Sequence, residues 1–405
     1  MSTKRSNQTC DETSPKRAKA ISFDGILKVI KLGTDEDFQE LLSQGLIPNI
    51  NMINEKGETL LMVMCSSSFL RGVKLLIDHG ADVNIADPQG NSAFILACRN
   101  FKDYSAEECS EIIKLVVANG ANINSRCIFP SVIRSYRDGT ALFEACIKNR
   151  FDVMSLLLEL GVEVNSTDQN PLIEACNMGS FNLAKFLISN GADINMRVDN
   201  RISLGVACQH NNDELVALLL ESGADINVLL NTYYGQATPL SIACEKGHLS
   251  TVKLLIARGA DVNQGGTKSP LVMACCHTYP KIVKVLLKNG ADVEVFDIET
   301  GRNPLMTAAN YPNNRTAIKL LVEYGADINA ERQGECPLSI ASRAKLGSNV
   351  KALLECGADM YREDGVTSCL TAGGLVERDP KMAAFAKRYE EVNKRANREL
   401  KPILK

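Results

Sequence analysis

The chain has no tryptophan, only four histidines, and aromatic residues at 5% of its 405 positions. It lacks any apolar run near the roughly 18 to 20 residues that cross a bilayer, and aliphatic stretches such as Leu215 to Leu220 stop at charges. Missing too is an apolar segment between a charged start and a cleavage site, since the first residues are polar and basic, Lys4-Arg5 and then Asp11-Glu12. These absences predict a soluble, non-secreted protein with no membrane partner. What remains is ordinary in composition, 45% hydrophobic and 23% charged with 28 glycines and 13 prolines, which excludes wholesale disorder, collagen and low-complexity fibres.

Fourteen cysteines would suggest disulfides in a secreted protein. Without a leader, and in a chain long enough to bury a core unaided, they point to a reducing compartment instead. The net charge of -3 averages unlike parts: residues 1–20 carry +3 and residues 378–405 carry +5, which leaves -11 between them. An acidic body with basic ends argues against nucleic acid bound along the middle of the chain.

A chain this long would divide into two or three globular domains unless it repeats, and it repeats. One phrase recurs as Gly80-Ala-Asp-Val-Asn84, Gly120-Ala-Asn-Ile-Asn124, Gly161-Val-Glu-Val-Asn165, Gly191-Ala-Asp-Ile-Asn195, Gly223-Ala-Asp-Ile-Asn227, Gly259-Ala-Asp-Val-Asn263, Gly290-Ala-Asp-Val-Glu294, Gly325-Ala-Asp-Ile-Asn329 and Gly357-Ala-Asp-Met-Tyr361. A fainter copy begins at Gly45. Each phrase follows an amphipathic helix such as Val252-Lys-Leu-Leu-Ile256, which the glycine ends because only glycine enters the left-handed conformation cheaply. Asp and Asn then open a turn. A second, smaller helix follows, for example Thr238-Pro-Leu-Ser-Ile-Ala-Cys244, in which a Thr, Ser or Asn cap precedes proline at the first helical position.

Hairpin, Thr-Pro-Leu-type inner helix, outer helix and Gly-Ala-Asp-Val-Asn together resemble the ankyrin repeat, about ten copies over residues 22–365. The resemblance implies an all-α repeat fold, a solenoid of helix-turn-helix units with β-hairpin loops in a curved array. Residues 1–21 then form a disordered basic tail and residues 366–405 a C-terminal capping segment. The chain departs from the family at the histidine of the Thr-Pro-Leu-His phrase, replaced here by Met62, Ile95, Phe143, Ile173, Gly205, Ser241, Val272, Met306 and Ser339. Weaker coupling between repeats is expected there. The long connections Phe101 to Glu108, Ser125 to Asp138, Val228 to Gln236 and Val295 to Gly301 are expected at hairpin tips, as the family architecture implies.

Catalytic and metal chemistry find little support. Cys65, Cys98, Cys146, Cys176, Cys208, Cys244 and Cys275 fill one slot of successive inner helices, where they cannot converge on an ion and serve as small hydrophobes. Cys275-Cys276-His277 combines ligand types, but neighbours on a helix point apart. Gly265-Gly266-Thr267-Lys268-Ser269 has the wrong residue before its lysine for a phosphate loop and sits in a hairpin. Glu144 and Glu174 fill equivalent slots rather than one site. No catalytic residue, metal or cofactor is predicted.

Function by exclusion is recognition of a protein partner by a monomer. In ankyrin-like arrays the partner lies against inner helices and hairpin tips, which maps onto Arg201, His210, Lys246, His277, Arg302 and Tyr311. The insertions add Phe129, Tyr136, Tyr233 and Tyr234 as aromatic anchors. The resemblance implies a non-enzymatic scaffold or adaptor, with a nuclear co-regulator as the expected role. The alternative is a substrate-recruiting adaptor of a ubiquitin ligase, which needs a ligase-binding box that the sequence does not display. It also implies asparaginyl hydroxylation in animals at Asn84, Asn195, Asn227, Asn263 and Asn329.

At the start of the chain, Lys4-Arg5 and Lys16-Arg17-Ala18-Lys19 flank a ten-residue spacer and resemble a bipartite nuclear localisation signal. An import receptor is the implied partner, with nuclear and cytoplasmic localisation. Ser14 precedes Pro15, so phosphate there would place negative charge beside the second cluster. At the other end, Met382, Phe385, Tyr389, Val392 and Ala396 lie three and four apart opposite Lys387, Arg388, Lys394, Arg395 and Arg398, a basic amphipathic helix read as an end cap.

Overall fold

In a computed structural model of the chain, the structure describes residues 21–99, 106–128, 138–165, 170–232 and 235–359, with four positions between 384 and 391. The chain divides into two compact units, Met1–Glu163 and Val164–Lys405. Among the described residues the first unit holds α1 (Phe23–Leu32), α2 (Asp35–Ser43), α3 (Leu60–Ser66), α4 (Leu70–Asp78), α5 (Ala93–Arg99), α6 (Ala106–Ala118), β1 (Arg126–Ile128), β2 (Asp138–Thr140), α7 (Ala141–Ile147) and α8 (Phe151–Glu159). The second holds α9 (Pro171–Asn177), α10 (Phe181–Ser189), α11 (Ser203–Gln209), α12 (Asp213–Glu221), β3 (Leu230–Thr232), β4 (Gly235–Ala237), α13 (Pro239–Lys246), α14 (Leu249–Ala257), α15 (Pro270–Cys276), α16 (Pro280–Lys288), α17 (Pro304–Asn310), α18 (Arg315–Glu323), α19 (Pro337–Arg343) and α20 (Gly347–Glu355).

In both units each described helix packs against its pair-mate, and within the second unit also against the corresponding helix of the next pair. In the second unit α9, α11, α13, α15, α17 and α19 form an inner layer, while α10, α12, α14, α16, α18 and α20 form an outer one. Inner helices are short because they are buried nearly all round. In α13 every residue from Pro239 to Cys244 is buried, so charge is confined to its last turn. Outer helices bury one stripe only, Ile282, Val283, Leu286 and Leu287 in α16. Each such side chain contributes about 1.5–3 kcal/mol on removal from water.

The capping chemistry read from the sequence is in place. The side chains of Thr238, Ser269 and Asn303 accept the amides of Ser241, Val272 and Met306 at 3.2, 3.2 and 2.8 Å, each with proline at the first helical turn. The repeated asparagine does more than shape its own hairpin. Asp193 Oδ1 accepts the Asn195 amide at 2.9 Å and closes the local turn. Asn195 then reaches the next hairpin, where its Oδ1 accepts the Asp225 amide at 2.9 Å and its Nδ2 donates to the Gly223 carbonyl at 3.0 Å. Asn84 repeats the arrangement with Asn122 and Gly120 in the first unit, and Asn263 with Asp292 and Gly290 in the second.

Successive repeats are thus joined by polar bridges between hairpins as well as by packing. Thr238 Oγ1 also lies 3.1 Å from the Gln264 carbonyl, tying a helix cap to the following hairpin. One expectation is corrected, that for Phe101 to Glu108. The insertion falls between the two helices of one pair, after α5 ends at Arg99, and its last three residues begin α6. It is not a hairpin tip.

Candidate partner-binding site

The β3–β4 hairpin pairs Leu230 with Ala237 and Thr232 with Gly235 in antiparallel register. Its neighbours hold it on both sides. Arg197 donates to the Leu229 carbonyl at 2.8 Å and Asn231 Nδ2 to Asn200 Oδ1 at 3.3 Å, while Gln236 and Thr267 exchange two bonds at 2.8 and 2.9 Å. Leu230 folds back from this hairpin onto α11, and the position it covers is Gly205, the slot where the family places histidine. A Cβ on Gly205 would meet Leu230 Cδ1 at 2.6 Å, so the smallest residue of the slot admits the hairpin.

A cavity of about 270 Å³ opens beside this contact, floored by Ile202, Val206, Leu230 and Ile242 and rimmed by polar groups that include Arg201, Gln209, Asn231, Glu245 and Lys246. Arg201 stands on the return arm of a two-residue turn whose residues Asp199 and Asn200 both have positive φ, the geometry that matches strand twist. Lys246 Nζ lies 2.7 Å from Glu245 Oε1 at the other rim. An apolar floor with opposite charges at the rim suits a side chain that is apolar at its tip and flanked by polar backbone.

The family model of ankyrin repeats, in a description of three copies, matches residues 26–127, 111–198, 204–297 and 296–364. The chain belongs to the ankyrin repeat family. Its repeats are 30% identical over 131 residues to ankyrin repeat protein L86 of Acanthamoeba polyphaga mimivirus, covering 30% of this chain and 22% of that protein. They are 29% identical over 145 residues to potassium channel AKT2/3 of Arabidopsis thaliana, covering 36% and 16%. The matched segments thus span about a fifth of those relatives. Among solved structures, the human ASB11 ankyrin repeat domain matches at 31% identity with a TM-score of 0.46, over 54% of this chain and 98% of that one. Ankyrin repeats mark a protein-interaction module, in a family that is typically a non-enzymatic scaffold.

Of the partner-contacting residues expected from the ankyrin pattern, Arg201 and Lys246 share the cavity. His210 caps α11 on an exposed edge just past Gln209. Tyr311 and Arg302 gather elsewhere, around Cys276, while His277 lies within reach of the charges of the rim residues Glu245 and Lys246. The Tyr311 hydroxyl is hydrogen-bonded to the Cys276 thiol, and burial raises both pKa values. The His277 ring stacks on Tyr279 at 6.3 Å between centroids, and burial lowers its pKa. Arg302 is engaged with Glu335 at 3.1 Å, and Arg343 grips the same carboxylate. Lys268, in the glycine-rich segment set aside as a phosphate loop, faces Asp297 and Glu299 at 3.7 and 3.6 Å; burial alone would lower its pKa, but those carboxylates raise it.

Phe129, Tyr136, Tyr233 and Tyr234 lie outside the described residues, as do Lys4, Arg5, Ser14, Lys16, Arg17, Lys19, and at the C-terminal end Met382, Phe385, Tyr389, Val392, Lys394, Arg395, Ala396 and Arg398, whereas Lys387 and Arg388 are helical and exposed. The strands that lead to the two aromatic insertions are described, and Ile128 at the end of β1 is half exposed. Asn84, Asn195, Asn227, Asn263 and Asn329 sit on exposed hairpins, with side-chain oxygens accepting the amides of Asn122, Asp225, Asp261, Asp292 and Asp359.

Sequence reading missed Gly205, Leu230, Asn200 and Asn231. The available signal was a glycine inside a helix slot otherwise filled by larger residues, paired with an insertion one hairpin later. It also missed Ile298, exposed on the Val295–Gly301 insertion, and Phe296, whose ring carries the Arg332 guanidinium at 4.0 Å.

Proposed function

We propose that the chain is a non-enzymatic adaptor that holds a protein partner on the inner-helix and hairpin layer of the second unit. The observation that carries this reading is the cavity beside β3–β4, which brings Arg201 and Lys246 together around an apolar floor. An extended segment of the partner places an apolar side chain on Ile202 and Leu230, and its flanking polar groups meet the rim. Phe129 and Tyr136 supply a separate contact from the first unit.

Affinity capture from the native cell tests the reading. Arg201→Ala with Lys246→Ala, and separately Tyr233→Ala with Tyr234→Ala, should lose the same captured protein while melting and circular dichroism stay unchanged. Normal capture by both double variants would overturn it.

The adaptor acts as a nuclear co-regulator in this proposal, imported through Lys4, Arg5, Lys16, Arg17 and Lys19. A fluorescent fusion with those five changed to alanine should lose nuclear accumulation, and Ser14→Asp should reduce it. Undiminished accumulation of the five-alanine variant removes the nuclear part alone. Oxygen addition at the hairpin asparagines is checked by intact mass of the protein from an animal host, where an unmodified mass would end that idea.

A further inference from the structure

On the outer layer of the second unit, α14 and α16 enclose a shallow groove of about 500 Å³ rimmed by Lys253, Lys281, Lys284 and Lys288 over Leu249 and Val285. Lys281, Lys284 and Lys288 recur three and four residues apart, which sets them on one exposed helix face. Neither helix contains an acidic residue. Among the described residues no carboxylate pairs with any of the four lysines. The cations on either side differ: Arg258 is bonded to Glu221 at 3.1 Å, and Arg315 and Lys319 both reach Glu355, at 2.9 and 2.8 Å. The groove is therefore a concentrated, unneutralised positive site bounded by neutralised charge, in a body whose residues between the two basic ends carry -11.

We infer that this groove docks a short acidic segment of a protein partner, with glutamate or aspartate side chains on the four ammonium groups and one apolar side chain on Leu249 and Val285. Like charges at these helical spacings repel, and an acidic occupant relieves that repulsion. Short length is required because a long polyanion would run off the patch onto the acidic body. The lining also disfavours nucleic acid: it has no arginine for bidentate phosphate contact and no aromatic for base stacking. From Lys281 to Lys288 the helix rises only about 10 Å, under a third of a duplex turn of about 34 Å. A second copy of this chain would bring its own acidic body, with no apolar side chain assigned to the floor.

The test uses the full chain and a short fluorescein-labelled peptide of glutamates around one leucine, read by fluorescence anisotropy. The wild type should bind, with affinity falling steeply as salt rises. Lys253→Ala with Lys281→Ala, Lys284→Ala and Lys288→Ala should weaken binding on the order of tenfold, since several exposed charge contacts are lost together. A control with Lys28, Lys31, Lys114 and Lys185 changed to alanine should bind as the wild type does. All four positions in each variant are exposed on helices, so melting should match the wild type. No binding by the wild type, equal loss in both variants, or tighter binding of an oligonucleotide of equal charge would overturn the proposal. So would a wild-type dimer in sedimentation that the groove variant dissociates, because the occupant would then be a second copy.

Discussion

Leu230 occupies the space that a side chain at Gly205 would need, its Cδ1 lying 2.6 Å from the position of a Cβ there. Gly205→Ala therefore combines two opposing effects, about 1 kcal/mol gained in helix propensity and about 1–3 kcal/mol lost to overpacking. Leu230→Ala alone should destabilise by about 2 kcal/mol because it empties a buried site. The double variant should be more stable than Leu230→Ala, since the new methyl group enters the vacated space. Urea unfolding of the four proteins measures the coupling. Additive effects would mean the two residues do not share that space.

Asparagine bridges differ in how many bonds they make. Asn195 makes two to the next hairpin, whereas Asn227 is seen to make one, accepting the Asp261 amide at 3.0 Å. At about 0.5–1.5 kcal/mol per bond, Asn195→Ala should destabilise by about 1–2 kcal/mol and Asn227→Ala by roughly half as much. An equal or larger loss at Asn227 would show that the bridges do not set the coupling.

Thiol reactivity should follow burial. Cys65, Cys98, Cys146, Cys208, Cys244 and Cys275 are enclosed in inner helices, where burial raises those thiols with resolved shifts; it pushes Cys176 up to about 12 and Cys127 to about 11. Cys276, Cys336 and Cys356 are partly accessible. Timed iodoacetamide labelling of the folded protein, mapped by peptide mass, should mark those three well before the inner-helix set. Early labelling of Cys208 or Cys244 would indicate local opening of the inner layer.

Acid should weaken the C-terminal end of the second unit. Burial alone would raise the Glu335 pKa, yet bonds from Arg343 and Arg302 hold it below the ordinary 4.5. At Glu355 the Lys319 bond is the largest influence, followed by opposing burial and then Arg315, and the pKa is again lowered from 4.5. A carboxylate held below its unfolded value contributes stability that is complete above 4.5 and is lost as pH falls through the folded value. Urea midpoints should thus drop on acidification below 4.5, and Glu335→Gln with Glu355→Gln should flatten that drop. An unchanged slope would remove these two groups from the pH dependence.

The inner-helix caps, the glycine stops and the buried cysteine slot could all be read from the sequence, because each depends on neighbours within a few residues. Thr238, Pro239 and Cys244 state their roles locally. The Gly205–Leu230 contact could not be read that way, since the residues belong to different hairpin units and their meeting depends on how β3–β4 is braced. The same limit hid the lysine groove: Lys253 is one cation among many until packing of α14 against α16 sets it beside Lys281. Phe101 to Glu108 was misplaced for a related reason. Length alone reveals an insertion, but where it emerges depends on where α5 stops and α6 starts.

Helices in the second unit touch their pair-mate and the neighbouring pairs of that unit, so the contacts that stabilise any of its segments are made with chain only a few dozen residues away. During synthesis that proximity matters. A helix pair such as α13 and α14 emerges beside α11 and α12, on which it docks, and is covered as soon as α15 and α16 leave the ribosome, with no wait for a distant strand. Assembly can then advance with elongation, and the longest exposure of apolar surface falls on whichever pair was translated last.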